Sequence, residues 1–162
     1  MKILITFLQI FISFSLISAP EDPKHCPIIL KGYDIVSYYS KSGPEKGNEK
    51  FQAVYEEKRY LFSSKKNRDA FSENPKKYVS PNGEHCAYTT IASKGKKVKA
   101  NPKVYSFSND QIFFFKNKRA KRKWELNQEV NYEKIKLIDN TQKRQLRRYE
   151  NQNQHGVLLF SF

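Results

Sequence analysis

RYLFSSKKNRDAFSENPKKY, residues 59–78, changes its hydrophobic period halfway through. Tyr60 and Phe62 alternate as one face of a strand does. After Ser63-Ser64, either of which serves as an N-cap, KKNRDAFSEN reads as a helix that buries Ala70 and Phe71 and stops before Pro75. A strand running through a serine cap into a helix predicts a mixed fold. Upstream, Phe51, Ala53 and Tyr55 share one face of a partner arm, so residues 51–62 form a hairpin. Its turn over Glu56 to Lys58 lacks the usual glycine.

The rest of the chain continues that alternation. ILKGYDIVSYYS (29–40) reads as strand with a turn at Lys31-Gly32, and KSGPEKGNEK (41–50) as loop. A second helix opens at Asn82 or Gly83, runs through EHCAYTTIASKG and ends at Gly95 by a glycine cap. KVYSFSNDQIFFFKN gives a second hairpin, 104–115, turning at Asn109-Asp110. KRAKRKWELNQEVNYEKIKLI (118–138) has near-helical spacing with a break. The expected fold is a small α+β single domain of antiparallel β-hairpins and short helices over residues 28–138, both hairpins in one antiparallel arrangement. From residue 139 to 162 the chain reads as a basic, mostly disordered tail ending in the apolar VLLFSF. No internal repeat stands out.

Lys and Arg outnumber Asp and Glu by 30 to 16, a net charge of +14. That balance draws polyanions and also keeps a chain soluble. Residues 1–19 carry one Lys, an apolar run and then small residues, the pattern of a secretory signal peptide, with an uncleaved membrane anchor as the alternative. Residues 20–27 read as linker. Secretion would leave acidic glycans or anionic lipid surfaces as the polyanions within reach, and makes DNA an unlikely natural partner. The basic stretch Lys116, Lys118, Arg119, Lys121, Arg122 and Lys123, with KRQLRR at 143–148, is the candidate polyanion patch; a solvated helix face is the plainer reading.

The two cysteines each follow a histidine, in PKHCP (23–27) and GEHCAY (83–88). In an oxidising compartment they allow one intramolecular disulfide, Cys26 to Cys86. Closing a loop of about 60 residues would contribute roughly 3–4 kcal/mol on the chain-entropy model. Cys86 in the first turn of a helix would face the positive end of its dipole, beside a protonated His85, which suits a metal ligand or a reactive thiol. It would equally suit a packed core residue. A four-ligand zinc site from both doublets asks neighbouring side chains to converge, whereas side chains one apart on a helix diverge by about 100°. Asp34 and Asp69 form a conceivable acid–base pair. Arg68 beside Asp69 instead suggests a structural ion pair. No nucleophile elbow, phosphate loop or zinc-hydrolase helix motif is present.

Four stretches occur in a recognisable order: KGYDIVSYY, YLFSSKKNRDAFSENPKKYVSPNGEHCAY, KGKKVKANPKVYSF and IFFFKNKRAKRKWE. From about Ile28 to Trp124 the chain resembles the secreted or periplasmic branch of the YHS-domain proteins. The resemblance implies a small α+β domain and, for function, a binding or accessory module rather than an enzyme. Family members attached to metal transporters carry a cysteine pair at the strand end, which implies a transition metal there. Ser63 and Asn67 stand at those two positions in this chain, which removes the soft ligands. Cys86 matches the cysteine of the family's Cys-Ala-Tyr word. Cys86, His85, Asp34 and Tyr88 are therefore the ligand or redox candidates, and Cys86 with His85 the metal candidates. The expected function is a secreted, non-catalytic binding module. The alternatives are a metal- or thiol-redox protein using Cys86 with His85, and a polyanion binder acting through residues 116–148.

Overall fold

A computed structural model describes residues 25–157. The expected signal peptide, most of the linker and the last five residues lie outside the described residues. The elements alternate as the sequence suggests. Strands β1 (Asn48–Tyr55) and β2 (Lys58–Phe62) are followed by helices α1 (Lys65–Glu73), α2 (Pro75–Tyr78) and α3 (Ala87–Ala92). Strands β3 (Asn101–Ser108) and β4 (Gln111–Phe115) lead into α4 (Lys118–Glu125) and α5 (Gln128–Val157). The fold is α+β, and both hairpins are antiparallel.

The hairpins do not share one arrangement: β1–β2 and β3–β4 are separate two-stranded sheets. Each carries its own apolar cluster. Phe62, Phe71, Tyr60, Tyr78, Tyr38 and Ile35 pack with the first, whereas Phe113, Phe115, Ala120, Trp124 and Cys86 pack with the second. Consecutive residues of β4 divide between them, Ile112 and Phe114 facing the first cluster and Phe113 and Phe115 the second. A strand buried on both faces reads as an unbroken apolar run, which is why IFFF does not alternate.

The two halves repeat one unit. Asn48 opens β1 and takes Lys50 N on its Oδ1 at 2.9 Å; 53 residues later Asn101 opens β3 and takes Lys103 N at 3.0 Å. Both first strands then slip register after four residues, and both pair their opening Asn with the last Phe of the returning strand, Phe62 or Phe115. Ser64 caps α1 through Asn67 N, and Asn117 caps α4 through Ala120 N. The large buried side chain of each helix, Phe71 or Trp124, stands at the same offset. Further upstream the offset falls to 52 at Gly32/Glu84 and Asp34/Cys86, while Glu45/Val98 and Gly47/Ala100 keep 53. There Asp34 N donates to Glu45 O at 2.9 Å as Cys86 N donates to Val98 O at 2.8 Å. Gly47 N meets Gly32 O at 2.8 Å as Ala100 N meets Glu84 O at 2.9 Å. The repeat was not visible in the sequence because side-chain identity survives at few positions, among them Asn48/Asn101, Lys50/Lys103, Phe62/Phe115 and Asn74/Asn127.

Three local expectations are corrected. Residues 29–40 form two short 3-10 turns, not a strand. Leu30 and Lys31 take left-handed backbone, and Asp34 then captures Val36 N and Ser37 N, which leaves those groups unavailable to a sheet partner. Helix α3 begins at Ala87, because Cys86 N and Ala100 N are already engaged across the chain with Val98 O and Glu84 O. Its C-terminal turn closes with Lys94, at φ 53, in the left-handed capping position and not with a glycine there; Gly95 follows it and puts its N–H on Thr90 O. Helix α5 also runs on past Asp139, where the sequence suggested a tail. Ile135 is buried and Gln142 Nε2 reaches Gly95 O at 3.4 Å, so packing against the end of α3 carries the helix beyond its amphipathic part. From Lys143 to Gln145, and at Arg147 and Arg148, its side chains are exposed.

The hairpin turns hold a stability prediction. Both are two-residue turns with positive φ at each central position: 48° and 56° at Glu56-Glu57, 49° and 59° at Asn109-Asp110. Left-handed backbone suits Asn, Asp and Gly and strains Glu. Glu56→Asn with Glu57→Gly should raise stability by about 1–2 kcal/mol in urea unfolding. An unchanged or lower midpoint would show that this turn carries no such strain.

Candidate functional site

Asp34, Ser63 and Asn67 come together at the junction of the 3-10 turns, β2 and α1. The Asp34 carboxylate is fully buried. Its Oδ1 accepts Val36 N at 2.8 Å and Ser37 N at 3.3 Å. Its Oδ2 accepts Ser63 N at 2.8 Å, Ser63 Oγ at 2.9 Å and Asn67 Nδ2 at 2.7 Å. Ser63 and Asn67 thus bind a carboxylate of the chain itself. Five donors leave this carboxylate little capacity for an outside ligand. Asp69 is elsewhere: exposed, it pairs with Lys65 at 2.8 Å and Arg68 at 2.6 Å, which lower its carboxyl below the usual range. The two aspartates do not form an acid–base pair, and the ion pair at Arg68 is as the sequence suggested.

Cys86 is the N-cap residue of α3 and not a first-turn residue as expected, and its side chain makes no cap hydrogen bond. Its sulfur is fully buried with Phe113, Phe115 and Trp124, and accepts the Thr89 hydroxyl at 3.1 Å. It is a thiol, without a bridge to Cys26. The two cysteines serve different hairpins. Cys26 is buried beside Pro27, whose carbonyl accepts Arg59 N on β2, whereas Cys86 bridges to Phe114 on β4. His85 is half-buried with Nδ1 3.3 Å from Asn82 O, and burial lowers its pKa, so near neutral pH it adds no cation beside the thiol. Among the described residues, no three His, Cys, Asp or Glu side chains are grouped to hold a metal ion. In a Cys26→Ser background, Cys86 should resist a thiol reagent in the native protein and react only on unfolding. Native labelling within minutes would mark it as accessible.

The basic candidates meet around α4. Ala120 and Trp124 anchor that helix in the second core, and the remaining positions are almost all cationic and turned outward. Only Lys121 among these cations has a carboxylate partner in the described residues, Glu125 at 3.5 Å. Between α3 and α4 lies a cleft of 370 Å³ whose polar wall is Tyr88, Thr89, Ser93, Lys116, Arg119 and Lys123. Among the described residues no carboxylate lines it. Lys123 Nζ stands 5.6 Å from the Tyr88 ring centroid. A lysine held by an aromatic face is partly ordered yet keeps its charge, unlike one held by an acid. On the other flank of α4, Lys103, Lys118, Lys121, Arg122 and the carboxylate of Glu125 border a second groove of 540 Å³ against β3. The basic run at 143–148 belongs to α5, where Lys143 is paired with Asp139 at 2.7 Å.

Tyr88 thus joins the basic patch and not Cys86 and His85 in one ligand set. Sequence reading missed Thr89 and Ser93, which are unremarkable until α3 is laid against α4. It also missed the convergence of Ser63 and Asn67 on Asp34, although their i, i+4 spacing on a helix start was a visible signal. Among the described residues no helix is long and apolar enough to cross a membrane. No family model, no curated protein and no solved structure matches the chain.

Proposed function

We propose that this chain is a secreted, non-catalytic binding module of the YHS type, and that its ligand is a polyanion engaged by the outward face of α4. One observation carries the reading: a helix anchored by Ala120 and Trp124 presents cations of which, among the described residues, only Lys121 is ion-paired, beside a cleft that no described acid lines. Cations left without acid partners cost self-repulsion in the free protein, which a bound polyanion relieves. The YHS resemblance supports the module reading through the strand end, the capped helix and the Cys-Ala-Tyr word. The self-satisfied Asp34 cluster fits a member that has replaced its soft ligand pair with a polar one.

Retention on immobilised heparin across a salt gradient tests the reading. Wild-type protein should elute late, and Arg119→Glu with Lys123→Glu should bring elution to markedly lower salt. Elution of both proteins in the low-salt wash would overturn it.

A further inference from the structure

The repeat gives the α3–α4 cleft a counterpart inside the same molecule. Matching hydrogen bonds equate Asp34 with Cys86, and the common offset of the hairpins equates Ser63 with Lys116 and Asn67 with Ala120. In the first unit the junction of turn, strand end and helix is closed by the Asp34 carboxylate, held by Ser63 and Asn67. In the second unit the carboxylate is replaced by a thiol that accepts the Thr89 hydroxyl, and the amide of Asn67 by the methyl of Ala120. Lys116 replaces the small hydroxyl of Ser63. Cys86 fills the Asp34 place and is itself fully buried, and the cleft lies beside it, bordered by Thr89, Lys116 and Ala120 and rimmed by Arg119 and Lys123. The first unit supplies its own oxyanion; the second has lost it and gained cations.

We infer that the α3–α4 cleft is an oxyanion site that seats one acidic sugar unit of a glycan chain, its sulfate or carboxylate group meeting Lys116, Arg119 and Lys123. The inference rests on the polyanion reading and narrows it to one cleft and one ligand class. Arg119 and Lys123 stand one helical turn apart, about 6 Å along the axis, so they can meet two oxyanions of one short segment. Thr89, Ser93 and Asn117 supply hydroxyl and amide groups along the wall for sugar hydroxyls. A single-stranded nucleic acid would need an open aromatic platform for its bases. Tyr88, the cleft's aromatic side chain, has Lys123 over its ring. A lipid surface is flat, and these three cations line a concavity.

A heparin tetrasaccharide, titrated calorimetrically into the full chain at fixed ionic strength, tests this with two charge-matched variants. Arg119 lines the cleft, whereas Arg122 lies outside it; both are exposed, so neither substitution disturbs the core. Arg119→Ala should weaken binding by about tenfold or more, and Arg122→Ala by less than about threefold. Equal losses would overturn the cleft while leaving polyanion binding in place. Tighter binding of a short oligothymidylate, or of anionic phospholipid vesicles, than of the tetrasaccharide would overturn the glycan assignment. Failure of wild-type protein to bind heparin at low salt would overturn both readings.

Discussion

Asp34→Ala should destabilise the folded protein by about 3–5 kcal/mol, the largest effect expected from a single polar side chain in this molecule. The substitution removes one acceptor and strands several donors. Ser63 N and Val36 N lose their partner in a place that water does not reach readily, and Asn67 Nδ2 and Ser37 N keep only Ser63 Oγ and the backbone Asp34 O, each at 3.2 Å. Each buried donor left unmade costs about 1–3 kcal/mol, partly recovered where the structure relaxes. Asp34→Asn keeps the shape but turns an amide toward Ser63 and Asn67, or forces it toward Val36 and Ser37, so it should cost about 2–3 kcal/mol. Asn67→Ala, removing a single donor, should cost about 1 kcal/mol. Urea unfolding measures all three. A loss under about 1 kcal/mol for Asp34→Ala would mean that the cluster does not hold turn, strand and helix together.

Trp124→Ala should cost about 3–5 kcal/mol through the cavity it leaves. The indole is fully buried, stacks at a tilt on Phe113 at 4.8 Å and Phe115 at 5.7 Å, and donates to Ser108 Oγ at 3.1 Å. Its effect should also reach the ligand surface, because Ala120 and Trp124 are the buried contacts of α4. Trp124→Ala protein that remains folded should therefore elute earlier from heparin, although no charge has changed. Trp124→Phe, which keeps most of the ring volume, should lose about 1–2 kcal/mol and bind nearly as wild type. Unaltered heparin retention in a folded Trp124→Ala variant would mean that polyanion binding does not depend on how α4 is docked.

Local chemistry made much of this fold legible. Serine after Phe62 announced α1 and Asn109-Asp110 announced the second turn, because each of those choices depends on backbone groups a few residues apart. The same reasoning failed over residues 29–40, where apolar alternation suggested a strand. Asp34 settled that segment by capturing nearby N–H groups while its other oxygen bound Ser63 and Asn67, about 30 residues away. The basic run on α4 was equally plain in the sequence, but its meaning as a surface was not. Which cations share a cleft depends on where α3 lies.

Neighbouring residues and composition were enough for the α+β class, the two hairpins, the helix start at Ser63-Ser64 and the excess positive charge. Only the tertiary structure decided that the hairpins form two sheets and that Cys86 is a buried thiol. It alone brought Tyr88 to the cations of α4 and made Asp34 and Cys86 occupants of equivalent places in a repeated unit. The physical reason is that hydrogen-bond roles and packing positions repeat across 52 or 53 residues while the side chains filling them differ. A carboxylate in one place and a thiol beside a cationic cleft in the other become comparable only once the backbone has brought each to its junction.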